Sequence, residues 1–87
     1  MINAAIVGLG WWGRTIARNL AESGVMRPVL GIDPEESGRE AAHAFGLDTS
    51  SRFEDALDRR DVDAVILCSP HKFHADQIVA AAQAGKH

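Results

Sequence analysis

Two rhythms of apolar and polar positions alternate along this chain. Residues 4–7 are a short apolar run that stops at Gly8, the pattern of a buried strand. Residues 11–22 then carry helical spacing, with Trp12, Ile16 and Leu20 four apart on one face and Gly24 placed to end the helix. Residues 28–32 form a second apolar run, and residues 34–45 a second helix stopped by Gly46. A weak, polar third strand at 47–49 suits a sheet edge. Ser51 and Glu54 have capping-box spacing for a short third helix whose apolar face is Phe53 and Leu57. Residues 62–68 give the strongest strand signal. Ser69 and Pro70 then open a fourth helix, as N-cap and first helical residue, which Gly85 closes.

Strand followed by helix, four times over, predicts an α/β fold: a parallel sheet joined by right-handed crossovers. The doubly wound arrangement puts the strands in the order 3-2-1-4, with helices on both faces. The 87 residues make one domain, 1–87, with a single modest core. Hydrophobic residues at 46% and charged residues at 24% exclude disordered and fibrous classes. A net charge of -3, with no run of Lys or Arg, argues against nucleic acid as a partner. The single cysteine, Cys68, allows no internal disulfide. The start of the chain lacks the charged and apolar regions of a signal peptide. The apolar runs fall far short of the roughly 20 residues of a membrane span. A cytoplasmic protein is the expectation.

The segment Gly8-Leu9-Gly10-Trp11-Trp12-Gly13 is a G-x-G-x-x-G between a predicted strand and a predicted helix, the context that gives this motif meaning. Gly8 permits the tight turn, Gly10 leaves the backbone open to a pyrophosphate, and Gly13 lets the helix approach the sheet. Ala17 and Ala21 extend that small-residue stripe. The free N–H groups and dipole at the helix start attract an anion. Leu9, Trp11 and Trp12 would contribute mainly backbone donors. Trp12 also reads as core packing with Ile16 and Leu20, and Trp11 as the rim of a cleft. Arg14 faces either a phosphate or solvent.

Asp33 ends the second predicted strand, about 20 residues beyond the last glycine, where a carboxylate accepts the hydroxyls of an adenosine ribose. A carboxylate there repels a 2′-phosphate, which favours NAD over NADP, and the nearest following arginine is Arg39. Asp33-Pro34-Glu35-Glu36 is equally a helix start, with Asp33 as N-cap. The two roles are compatible, because a carboxylate has about four acceptor sites.

Beyond the fourth strand, Ser69 and Pro70 would line the cleft at the switch point of the sheet. His71 and His74 share a helix face near Cys68, yet no fourth ligand stands at a metal-binding spacing, so no metal is expected. His74 is either a polar group facing the cleft or a satisfied surface histidine. Cys68 reads as a small buried hydrophobe, His43 as part of a solvated face.

Residues 5–14 (AIVGLGWWGR), residues 61–70 (DVDAVILCSP), His74 and the closing Ala84-Gly85-Lys86-His87 together resemble the glucose–fructose oxidoreductase/inositol 2-dehydrogenase (Gfo/Idh/MocA) family over essentially the whole chain. The resemblance implies a Rossmann-like domain that binds NAD or NADP, in an oxidoreductase of sugars, polyols and related carbonyl compounds. It assigns the pyrophosphate to residues 8–13, the ribose to Asp33, and the nicotinamide side to Ser69, Pro70 and His74. Ser69 replaces the family's usual Thr. The family's next motif, a Glu-Lys-Pro whose lysine assists proton transfer, would follow His87. The C-terminal domain that supplies substrate contacts and oligomer interfaces is likewise outside the chain. No catalytic residue is therefore carried over, and the expectation is an inactive part of a longer, homo-oligomeric enzyme.

Two other functions fit the glycine turn: a nucleotide-sensing regulatory module without catalysis, and the nucleotide-binding fold of a ligase, which would not need Asp33. The apolar fourth strand, at the sheet's outer edge, predicts a marginal chain or one that pairs this edge with another copy.

Overall fold

A computed structural model describes residues 2–87 except Phe45 and Pro70; for His71, Lys72 and Phe73 it describes the backbone alone. The strands are β1 (Ile2–Val7), β2 (Met26–Ile32), β3 (Asp48–Ser50) and β4 (Ala64–Leu67). The helices are α1 (Trp11–Ser23), α2 (Glu36–His43), α3 (Glu54–Asp58) and α4 (His71–Gln83). All pairings are parallel and the strand order is β3-β2-β1-β4, as the alternation predicted.

Parallel strands covered on both faces read as continuous apolar runs. In β1, Ala4 to Val7 are all buried. Ala5 and Val7 join Leu30, Ile32, Ala56 and Val62 on the face under α3. Ile6 joins Leu9, Ala17, Ala42 and Leu47 on the face under α1 and α2. The β1–β2 register shifts between Ala4 and Ala5, opposite the residue after Pro28. Proline has no N–H for the ladder, and β3 begins only opposite Leu30, so β2 is still an edge at that point.

Several boundaries differ from expectation, for local reasons. Helix α2 starts at Glu36, with Glu35 at the N-cap and no side-chain cap, so Asp33 is not the N-cap and Pro34 is not its first residue. Asp33 instead accepts the Glu35 N–H through Oδ1 at 2.8 Å, closing a turn ahead of the helix. The capping box at Ser51 does not form. Ser50, one residue earlier, takes the Arg52 N–H and donates to Asp55, and α3 has Phe53 as its N-cap residue. Strand β4 is shorter than residues 62–68, although ladder bonds run one residue past each end: Asp63 N–H to the Asn3 carbonyl and Cys68 N–H to the Val7 carbonyl. The predicted ends at Phe45 and Pro70 lie outside the described residues.

Trp12 is not core. It is 59% exposed, and Trp11 is 70% exposed, the two indoles stacked with ring centroids 5.9 Å apart. The buried residues of α1 are Gly13 and Ala17, so the helix rides on small residues and turns Trp12 outward. Ala21, expected to extend this stripe, is exposed, and Leu20 packs on the core instead. Gly24 ends the helix in the left-handed conformation (φ 74°), as predicted.

Candidate dinucleotide site

The carboxyl ends of the strands meet at one edge. Gly8 N–H donates to the Ile32 carbonyl (2.7 Å), Asp33 N–H to the Ser50 carbonyl (3.0 Å), and Cys68 N–H to the Val7 carbonyl (2.7 Å). These bonds bring Gly8, Asp33 and Ser69 together where β1 lies between β2 and β4, the switch point of such sheets.

Three glycines of the turn have three different surroundings. Gly8 has φ +95°, and a Cβ there would sit 2.7 Å from the backbone of Cys68, so the turn requires glycine twice over. A Cβ on Gly13 would lie 1.9 Å from the Gly8 carbonyl oxygen. Gly10 is the opposite case: a Cβ would meet nothing within 4 Å. Open space therefore lies before the backbone that caps α1, whose first turn has neither a side-chain cap nor an acidic residue. Free N–H groups facing open space form a cradle for an anion. The residues present fit a diphosphate.

Leu9 serves from beneath. Its side chain is 1% exposed. Gly31 and Gly38 make room for it, since a Cβ on either would press on Leu9 at 3.0–3.2 Å. Its N–H donates to Asp33 Oδ2 at 2.8 Å, so the acid at the end of β2 holds the glycine turn directly. With Glu35 N–H on Oδ1, the carboxylate uses about half of its acceptor capacity and keeps lone pairs for further donors. The turn is closed behind by Arg39, whose Nη1 donates to the Asp33 and Pro34 carbonyls, both at 2.8 Å.

Two cavities adjoin Asp33. One of about 500 Å³ runs past Gly8, Asp33, Glu35, Phe53, Ser69 and Gln77. A smaller one of about 250 Å³ is bounded by Gly10, Arg14, Asp33, Glu35, Ser37 and Gly38. On the β4 side, Ser69 Oγ donates to Gln77 Oε1 at 2.6 Å, and His74 Nε2 lies 2.5 Å from the Ser69 carbonyl oxygen. His74 thus grips the turn that leaves β4. Burial pushes the Cys68 thiol up from its usual range, which keeps it protonated and makes it a packing group. Pro70, and the side chain of His71, lie outside the described residues. Among the described residues, no group of three or more His, Cys, Asp or Glu could hold a metal, and no helix is long and apolar enough to cross a membrane.

Sequence reasoning placed Gly8, Gly10, Gly13, Asp33, Ser69 and His74 at one edge, and they are there. It missed Glu35, Ser37, Gly38 and Gln77. Gly38 carried a readable signal, since a glycine inside a helix costs about 1 kcal/mol and calls for a packing reason.

An open parallel sheet of this order, with a glycine-rich turn into α1 and an acid ending β2, is a Rossmann-like fold. The chain belongs to the Gfo/Idh/MocA family: the family profile described as an oxidoreductase family with an NAD-binding Rossmann fold matches residues 2–87. It is similar to scyllo-inositol dehydrogenase from Lactobacillus casei, solved with bound NAD(H) and scyllo-inositol. The TM-score is 0.91 at 32% identity, over 100% of this chain and 26% of that one. The 2,7-anhydro-N-acetylneuraminate hydratase of Mediterraneibacter gnavus is 32% identical over 97% of this chain and 22% of its own length. Levoglucosan dehydrogenase of Pseudarthrobacter phenanthrenivorans is 31% identical over 99% of this chain and 25% of its own. The chain spans about a quarter of the length of these relatives.

Proposed function

We propose that this chain is the cofactor-holding part of an NAD(P)-dependent oxidoreductase that acts on a sugar, polyol or related carbonyl compound. NAD(H) is the preferred cofactor and NADP(H) the poorer one. Gly8, Gly10, Trp11, Trp12 and Gly13 cradle the diphosphate, with Leu9 anchoring the turn from below and giving its N–H to Asp33. Asp33 receives the ribose hydroxyls. Ser69, Pro70 and His74 form the nicotinamide side. When bound, the nicotinamide supplies hydride transfer, and this chain's residues bind and orient it. The groups that bind substrate and move its proton are assigned to the remainder of a longer, homo-oligomeric enzyme, and the 87 residues alone are inactive. The substrate class rests on the names of the relatives and on the family.

One observation carries this reading: the uncapped start of α1 opens into empty space at Gly10, with the Asp33 carboxylate tied to the same turn through Leu9. The two tryptophans of the chain stand exposed beside that turn, so their fluorescence reports on it. Titration with NADH should quench indole emission and excite nicotinamide emission by energy transfer. Asp33→Ala should weaken binding at least tenfold, through loss of charge-assisted hydrogen bonds of about 1.5–3 kcal/mol. No binding of NADH at millimolar concentration would overturn the assignment.

A further inference from the structure

The 250 Å³ cavity has a charge pattern that reaches beyond ribose binding. Two acidic residues, Asp33 and Glu35, and one basic residue, Arg14, line it together with Ser37. We propose that this cavity receives the substituent on the 2′ position of the adenosine ribose, and that Arg14 sets the balance between NAD(H) and NADP(H). This rests on the dinucleotide reading above.

Arginine is the side chain suited to a phosphate dianion, because its planar fork matches two oxygens at once. Two arginines lie near the ribose end, and their situations differ. Arg39 has spent both Nη1 hydrogens on the Asp33 and Pro34 carbonyls, and it borders a separate recess with Glu36, Glu40 and Thr49. Arg14 borders the cavity itself. Among the described residues its side chain makes one bond, a stretched contact from Nε to the Gly10 carbonyl at 3.5 Å, and its Nη atoms take no partner. Arg14 is thus the cation of this cavity, loosely held and on the first turn of α1, where the backbone already favours anions.

The balance of charges then sets the preference. A 2′-hydroxyl donates to a carboxylate and gains. A 2′-phosphate meets two like charges and one opposite charge, so NADH binds better than NADPH. The penalty is graded, because Arg14 offsets part of it. Arg14 therefore acts on NADPH and scarcely on NADH. Glu35 acts in the reverse sense and is the safer handle, since the Asp33 carboxylate bonds the Glu35 backbone and the Glu35 side chain is free of that tie.

The test is a titration of NADH and NADPH against the wild-type chain, Arg14→Gln, Arg14→Lys and Glu35→Gln, each read by indole quenching. Arg14→Gln should weaken NADPH about tenfold and NADH less than about threefold, a ratio set by the lost ion pair near the surface. Arg14→Lys should restore most of the NADPH affinity. Glu35→Gln should strengthen NADPH about fivefold relative to NADH, which keeps the NADPH arm measurable. Equal losses for both cofactors in Arg14→Gln would overturn the inference, since Arg14 would then serve the shared diphosphate or the fold. No change in either would also overturn it. NADH failing to bind the wild type would overturn the dinucleotide reading and this inference with it, whereas NADH binding with equal losses overturns the inference alone.

Discussion

At the scale of single residues, the glycine turn separates requirements that a sequence motif merges. Gly8 and Gly13 are needed by the fold, because a methyl group on either would enter backbone atoms at 2.7 Å and 1.9 Å. Gly10 has φ -68° and room for a Cβ, so the apo fold does not need glycine there. In the proposed function, glycine there serves the diphosphate in front. Gly8→Ala should therefore cost more than about 2 kcal/mol, from the positive φ and the overlap together, and lower the melting temperature by several degrees. Gly10→Ala should leave stability within about 0.5 kcal/mol of wild type and still weaken NADH at least tenfold. Thermal melts and titrations on the same two variants check the contrast. Equal melting losses for both would mean that Gly10 is a structural glycine, and the anion cradle would lose its main support.

Between elements, the ties that set the site are polar and run between segments distant in sequence. Asp33 links the end of β2 to the turn after β1. Lys86 does the same at the far end of α4, where its Nζ donates to the Arg59 and Val62 carbonyls at 2.7 and 2.6 Å. The closing Ala84-Gly85-Lys86-His87 segment thus works as a staple that fastens α4 to the loop between α3 and β4. Lys86→Met keeps the stem and removes both bonds, leaving the Arg59 carbonyl with the Val62 N–H alone (3.3 Å). It should destabilise the chain by about 1–3 kcal/mol with no change in NADH affinity once folded, as denaturant melts and titration would show. A tenfold affinity loss would place Lys86 in the site instead. The same distinction explains what was legible beforehand. The strand order and the site's edge were readable because residues 4–7 of β1 and all of β4 are apolar and the glycine turn directly follows β1. The start of α2, the cap of α3 and the exposure of Trp12 were not. Each was decided by a partner that spacing does not name: Asp33 gives one oxygen to distant Leu9 and the other to Glu35 rather than to a helix cap, Ser50 takes the nearby Arg52 and Asp55 in place of Ser51, and the close approach of Gly13 to Gly8 rotates α1 so that Trp12 leaves the core. Spacing along one element carries no information about such partners.

Over the whole molecule, coverage is uneven, and that sets how the chain should behave in solution. Ala4 to Val7 of β1 are buried on both faces, whereas Val65, Ile66 and Leu67 of β4 are only half-buried. Among the described residues the outer edge of β4 takes one partner, His87, whose N–H donates to the Asp63 carbonyl (3.1 Å) and whose carbonyl accepts the Val65 N–H (2.7 Å). The alternation of a parallel strand then leaves the Val65 carbonyl and the Leu67 N–H on the outer side, next to half-covered apolar side chains. An unpaired apolar edge of this kind is a template for another strand. The 87-residue chain should therefore self-associate through β4, and its melting midpoint should rise with protein concentration, because association stabilises the folded state by mass action. The pairing should respond weakly to salt, since it rests on backbone bonds and apolar cover rather than on ion pairs. Light scattering behind size exclusion, together with melts across a hundredfold range of concentration, reads both quantities. A monomer with a sharp melt independent of concentration would show that His87 alone suffices to close the edge, and that four strands with this one bridge make a complete sheet.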